Sequence, residues 1–292
     1  MKNNPWIMAA RPATLWAAIA PVVVAASLAI HDDAFRPDVL VVTLLAAVAI
    51  QIGVNFANDL ADAARGADGA TRIGPTRAVA AGLISPRQMR NGMLAAFGFA
   101  ALGGLYLAWV AGWVVIAIGV ASIVAALGYT NGPVPYGYYG LGELFVFIFF
   151  GLVATVGARY VYDQSAPVDA WVSGVVMGLF AAAILIANNL RDIDTDRAAG
   201  KRTLAVILGR TATRTMYAVS ILGAFGTIAL GAAATWLPIG TMIAYIASPL
   251  ALPLFRIIGT QTAGPPLIRA LKGTARLQVL VAALMSVGIL LS

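Results

Sequence analysis

The sequence contains no cysteine, and its 292 residues include a single histidine and a single glutamate. Without cysteine there are no disulfides and no thiolate metal sites. Charge is scarce as well: Asp, Glu, Lys and Arg make up 11% of the chain and hydrophobic residues 61%. A soluble domain carries roughly 25% charged residues, and a soluble core cannot absorb this much apolar surface. The strict apolar/polar alternation of a membrane β-barrel is also missing. The apolar residues fall instead into blocks of about 20, the length a helix needs to cross ~30 Å of hydrocarbon. In lipid, backbone polar groups must be satisfied within the segment, so these blocks are helices.

Nine spans are expected, at approximately 12–30, 39–57, 91–109, 112–129, 141–160, 170–189, 215–235, 238–255 and 275–291. The first block lacks a small-residue cleavage site and reads as a span, not a signal peptide. Short turns such as His31-Asp32-Asp33 and Thr130-Asn131-Gly132-Pro133 separate most spans, while Asn58 to Arg90 and Arg191 to Arg214 form two long connections. With this segmentation, 17 of the 19 Lys and Arg lie on one side and only Arg36 and Arg159 on the other. That asymmetry places the N-terminus and both long connections in the cytoplasm and the C-terminus outside. It also accounts for the +7 net charge without nucleic acid as a partner. On the outer side, Asp32, Asp33, Asp38, Asp163 and Asp169 read as solvated turn residues, Arg159 as a snorkelling side chain, and the lone His31 as solvated.

Half of the twelve carboxylates gather at the starts of the two long connections. The first cluster reads Asn55-Phe-Ala-Asn58-Asp59-Leu-Ala-Asp62, followed by Arg65, Asp68, Arg72 and Arg77. Asn55, Asp59 and Asp62 are spaced to share one helical face. The second reads Asn188-Asn189-Leu-Arg191-Asp192-Ile-Asp194-Thr-Asp196, followed by Lys201 and Arg202. There Asn188, Asp192 and Asp196 share a face, and the Asn-x3-Asp spacing of Asn58 and Asp62 recurs at Asn188 and Asp192. Carboxylates crowded near lipid repel one another unless a cation neutralises them. Mg²⁺, which prefers oxygen ligands and is typically held by one or two carboxylates plus substrate phosphates, meets that need. Two such clusters can hold a diphosphate between metal ions, with the basic residues on its non-bridging oxygens. Singly, each Asp or Asn is better explained as a helix cap or a solvated loop residue. The paired clusters point to a Mg²⁺-dependent enzyme acting on a lipid diphosphate.

Asn58-Asp59-x-x-Asp62 and Asp192-x3-Asp196 resemble the two signatures of the UbiA superfamily of intramembrane aromatic prenyltransferases. Three further stretches carry the resemblance: Gly66-Ala-Asp68 with Arg72-Ile-Gly-Pro75-Thr-Arg77, Tyr129 to Glu143, and Asn188 to Asp192 with Gly200-Lys-Arg-Thr-Leu-Ala-Val. They are similar to the branch that prenylates 1,4-dihydroxy-2-naphthoate in menaquinone synthesis. The resemblance implies an all-α fold of nine transmembrane helices around a central cavity, in one domain over residues 1–292. It implies transfer of a polyprenyl group from polyprenyl diphosphate to dihydroxynaphthoate, with loss of CO₂ and pyrophosphate. By the same resemblance Asn58, Asp59, Asp62, Asn188, Asp192 and Asp196 hold Mg²⁺, with Asp62, Asp192 and Lys201 central to catalysis. Arg65, Arg72, Arg77, Lys201 and Arg202 are expected on the diphosphate. The chain departs from some superfamily members in having no Lys or Arg between residues 131 and 140.

Asn55, Tyr136, Glu143, Phe145, Phe149 and Tyr160 are the candidate substrate contacts, and Phe56, Phe145, Phe149 and Tyr160 the candidate stabilisers of an allylic cation. Each has a plainer alternative: Tyr136 as an interfacial anchor, Phe56, Phe145, Phe149 and Tyr160 as lipid-facing or packing residues, and Glu143 as a carboxylate at a helix N-terminus. A prenyltransferase with another aromatic acceptor, or a transporter, remains an alternative, although transport sites lie near the bilayer midplane and these polar clusters sit at one interface.

Overall fold

In the computed structural model, residues 4–64, 77–130 and 135–292 are described. The expected Arg65, Asp68 and Arg72 contacts and the turn at Asn131 to Pro133 lie outside these residues. Helix α1 (Pro5–Ala10) leads into α2 (Pro12–His31), α3 (Pro37–Ala64), α4 (Pro86–Ala111) and α5 (Val114–Thr130). A 3₁₀ turn at Tyr136–Tyr138 precedes α6 (Gly142–Val146), which passes through a π-helical stretch, Phe147–Val153, into α7 (Ala154–Asp163). Then come α8 (Val168–Ala198), α9 (Leu204–Ala233), a 3₁₀ stretch Ile239–Leu250 continuing into α10 (Ala251–Thr260), and α11 (Pro265–Leu290).

Among the described residues, eight helical runs are long and apolar enough to cross a membrane, and α5, at 17 residues, is a shorter apolar helix between them. Each expected span coincides with one of these runs. The long connections differ from expectation. Residues 191–214 are largely helical, because α8 continues to Ala198 and α9 begins at Leu204, where the Thr203 side chain accepts the Val206 N–H. Dense charge suggests a loop, but on an amphipathic helix end the polar side chains reach water without breaking the backbone ladder. Between Asp59 and Arg90, α4 begins at Pro86 behind a reciprocal cap between Ser85 and Gln88.

The largest buried cluster unites α2, α8, α9 and α11, with Phe180, Met177, Ile186 and Tyr217 among its members. Large apolar side chains also cover the outside, Leu102, Trp109, Val124 and Leu230 among them, as a lipid-facing surface requires. Without a hydrophobic force between helices in lipid, close contact rests on small residues. At Gly151, in the π stretch, a Cβ would lie 2.4 Å from the Cα of Gly178 on α8. That close approach seats the α6–α7 run against the helix carrying the second acidic cluster.

The outer side corrects two expectations. Arg159 does not snorkel: it is 1% exposed and binds Asp32 at 2.6 Å and Asp163 at 2.7 Å. Those two aspartates are therefore ion-pair partners joining the ends of α2 and α7, not free turn residues.

Candidate active site

A cavity of about 690 Å³ runs between the helices. At one end it is lined by Asn58 and Asp62 of α3, Arg77, Asn188, Asn189, Asp192 and Asp196 of α8, and Lys201. Further in, the lining turns apolar, with Val22, Ile50, Ile123, Val153 and Val161 on its walls. The two acidic clusters, 130 residues apart in sequence, therefore face the same space from α3 and α8.

Asp62 is the centre of the first arm and is 3% exposed. Arg77 forms an ion pair with its Oδ2. Tyr138 donates its hydroxyl to Oδ1 at 3.0 Å, and Lys201 places Nζ 3.4 Å from the same oxygen. Lys201 also lies 4.7 Å over the Tyr138 ring. Burial works against its charge, but the fields of Asp62, Tyr138 and Asp196 prevail and hold its pKa above the ordinary lysine value. A residue of the second arm thus bridges to the first as a cation. On α8, Arg191 clasps Asp192 through Nε at 2.7 Å and reaches Asn188 Oδ1 at 2.8 Å. Across the cavity, Thr130 donates to Asn58 Oδ1 at 2.8 Å.

Several expected residues lie elsewhere. Asp59 does not line the cavity: it is 1% exposed, and its two oxygens accept the backbone N–H groups of Ala78 and Val79, each at 3.0 Å. At about 100° per residue, Asn58 and Asp62 lie within roughly 40° of each other, while Asp59 turns away on the far side of Asp62. The shared face is thus Asn55, Asn58 and Asp62. Asn55 lines the cavity but spends its amide N–H groups on the Ala10 carbonyl at 2.8 Å and Thr14 at 3.0 Å, tying α3 to the α1–α2 junction. Arg202 is exposed and meets the site only by donating its backbone N–H to the Tyr138 carbonyl at 3.0 Å. Tyr160 packs against a cluster at the outer ends of the helices and does not line the cavity. Phe56 pairs edge-on with Trp6, away from the cavity.

Tyr136, Phe145 and Phe149 do come together on the cavity wall. Tyr136 stacks on Phe145 with centroids 4.0 Å apart, and Phe145 is 6.1 Å from Phe149 with the rings within 14° of parallel. Tyr138, Arg191, Asn189 and Tyr129 are site residues that the motif reading did not single out. Tyr138 could have been suspected from the Tyr136-Gly-Tyr-Tyr run.

Among the described residues, no three His, Cys, Asp or Glu side chains converge as a metal site on their own. The donor set is nevertheless suited to Mg²⁺: hard oxygens only, one or two carboxylates per arm, with the remaining positions left to water and substrate phosphate.

The fold and cavity define a polytopic helical membrane protein with a polar mouth of oxygen donors and cations above an apolar, aromatic-walled interior. The sequence matches the UbiA prenyltransferase family over residues 18–290. The chain belongs to that family. It is 41% identical to a 1,4-dihydroxy-2-naphthoate octaprenyltransferase of Mycobacterium tuberculosis, over 98% of this chain and 96% of that protein. It is 36% identical to the enzyme of the same name from Escherichia coli, over 78% and 76%. A UbiA homologue of Archaeoglobus fulgidus, solved with GPP and Mg²⁺, shares the fold with a TM-score of 0.68 at 14% identity, covering 99% of this chain and 100% of that one. A UbiA homologue of Aeropyrum pernix gives a TM-score of 0.69 at 17% identity, covering 95% and 97%.

Proposed function

We propose that the protein transfers a polyprenyl group from polyprenyl diphosphate to 1,4-dihydroxy-2-naphthoate, releasing pyrophosphate and CO₂ and giving demethylmenaquinol for menaquinone synthesis. The observation that carries this reading is the cavity itself, where two acid-base arms meet at the mouth of an apolar space walled by stacked aromatics. Relatives bearing that activity in their names, matched over nearly the whole chain, support the choice of acceptor. The charge asymmetry supports a multi-pass arrangement in the cytoplasmic membrane, N-terminus and polar mouth inside, C-terminus outside. One domain, residues 1–292, carries the activity.

Asp62, Asp192 and Asp196, assisted by the Asn58 and Asn188 amide oxygens, would hold Mg²⁺. When bound, it neutralises diphosphate charge and lowers the barrier to leaving-group departure. Arg77 and Lys201 turn from Asp62 to the diphosphate and donate N–H groups to its oxygens, where charge grows in the transition state. The allylic C–O bond breaks with its electron pair on the departing oxygen. Tyr136, Phe145 and Phe149 present ring faces to the allylic cation. The electron-rich naphthoate ring forms the new C–C bond, and loss of the carboxylate as CO₂ returns an electron pair to the ring. The dry interior keeps water from the cation.

The test is an assay in membranes with radiolabelled polyprenyl diphosphate, dihydroxynaphthoate and Mg²⁺. Chelation with EDTA should abolish product, and Asp62→Ala and Asp192→Ala should each lower kcat/KM by about 100-fold or more. Undiminished turnover in both variants would sink the proposed metal arms. Product with another aromatic acceptor, and none with dihydroxynaphthoate, would overturn the acceptor assignment.

A further inference from the structure

Glu143, the sole glutamate of the chain, is 7% exposed at the start of α6 and is not itself on the cavity wall. Its Oε1 accepts a hydrogen bond from Asn189 Nδ2 at 2.9 Å, and among the described residues its Oε2 has no partner. A carboxylate whose only task were to face a helix N-terminus would need neither burial nor a neighbouring helix. Glu143 instead reaches across to α8 and takes hold of a residue that does line the cavity.

The contact determines how Asn189 is presented. An amide donates only from its nitrogen, so the bond to Glu143 turns that edge toward α6 and leaves Oδ1 as the acceptor for a ligand. Asn189 follows Asn188 by one residue, about 100° round the helix. It therefore stands at the edge of the acidic face, about 20° beyond Asp196 round the helix, on the side tied through Glu143 to the run that bears Phe145. Two residues beyond Glu143, Phe145 supplies the flat face on which Tyr136 stacks. Tyr129 also borders this wall: a Cβ added at Gly142 would lie 3.4 Å from its hydroxyl. The cavity-lining cations Arg77 and Lys201, which suit a diphosphate, are gathered on Asp62 of the other arm. What the wall suits is a flat ring bearing a hydroxyl donor.

We propose that Glu143 is a positioning residue for the aromatic acceptor, acting through Asn189, whose amide oxygen accepts a ring hydroxyl of that acceptor. The proposal rests on the prenyl-transfer reading above. Its test separates the two, because it uses wild-type enzyme already shown to turn over dihydroxynaphthoate. Failure of the wild type to do so overturns the function itself.

Steady-state kinetics are measured on Glu143→Ala, Glu143→Gln, Asn189→Ala and the Glu143→Ala/Asn189→Ala double variant, varying each substrate separately. Glu143→Ala and Asn189→Ala should each raise KM for dihydroxynaphthoate about tenfold while KM for the prenyl diphosphate stays within about twofold. Glu143→Gln keeps an oxygen that can accept the Asn189 N–H and should recover most of the loss. The double variant should be no worse than Asn189→Ala, because one residue acts through the other. If Glu143→Ala does not accumulate in the membrane, Glu143→Gln and Asn189→Ala decide the matter. Equal rises in both KM values, or unchanged acceptor KM in Asn189→Ala, would overturn the proposal.

Discussion

Asp59 and Asp62 are three residues apart on one helix, both nearly fully buried, and yet placed for different tasks. Asp59 holds two backbone N–H groups of the turn after residue 77, whereas Asp62 collects Arg77, Tyr138 and Lys201 at the cavity mouth. Removing Asp59 leaves two buried donors without partners, and hydrogen bonds to a charged group are worth about 2 kcal/mol each. Asp59→Ala should therefore lower the thermal unfolding temperature in detergent by several degrees while leaving the cavity-mouth contacts of Asp62 in place. Asp62→Ala, conversely, should cost more activity per degree of stability lost. An unchanged unfolding temperature in Asp59→Ala would mean that Asp59 is not the turn's anchor. A motif in which both residues are aspartate does not disclose this division, because it depends on which side of α3 the Arg77 segment packs.

At the scale of elements, the contact between the α6–α7 run and α8 governs the aromatic wall. A Cβ at Gly178 would lie 2.7 Å from the Phe147 carbonyl oxygen, so any side chain there must push the π stretch away from α8. Overpacking of this kind costs typically 1–3 kcal/mol. Gly178→Val should lower thermal stability and also activity, because Phe145, Phe149 and the Glu143–Asn189 bond all depend on that spacing. Gly226, on α9, has nothing within 4 Å of an added Cβ. Gly226→Ala should leave both properties unchanged or slightly raise stability, since alanine is the better helix former by up to ~1 kcal/mol. Measured side by side, the pair distinguishes close packing from a general effect of replacing glycine.

For the molecule as a whole, the seventeen-to-two charge division is the basis of the proposed orientation, with the cavity mouth on the cytoplasmic side. The lack of cysteine makes it directly measurable. Ala166→Cys, in the exposed turn between α7 and α8, should react with a membrane-impermeant maleimide on intact cells. Thr262→Cys, exposed between α10 and α11, should react only after the membrane is opened. The opposite pattern would invert the protein and place the polar mouth outside.

Composition and block length by themselves determined the class of this protein: lipid forces every apolar run of about 20 residues into a helix, whatever its neighbours. The spacing of Asn188, Asp192 and Asp196 likewise marked residues that share the cavity wall, because helical periodicity is a local property, whereas on α3 the spacing of Asn55, Asp59 and Asp62 included one residue that faces away. Only the tertiary structure decided that Asp59 faces a turn, that Arg202 and Tyr160 stand away from the cavity, and that Arg159 is buried between two aspartates. It also brought Tyr138 and Asn189 into the site and joined Lys201 to Asp62 across 139 residues. These outcomes depend on helix rotation and on which chain segment packs where, and neither is encoded in the spacing of residues along a single element.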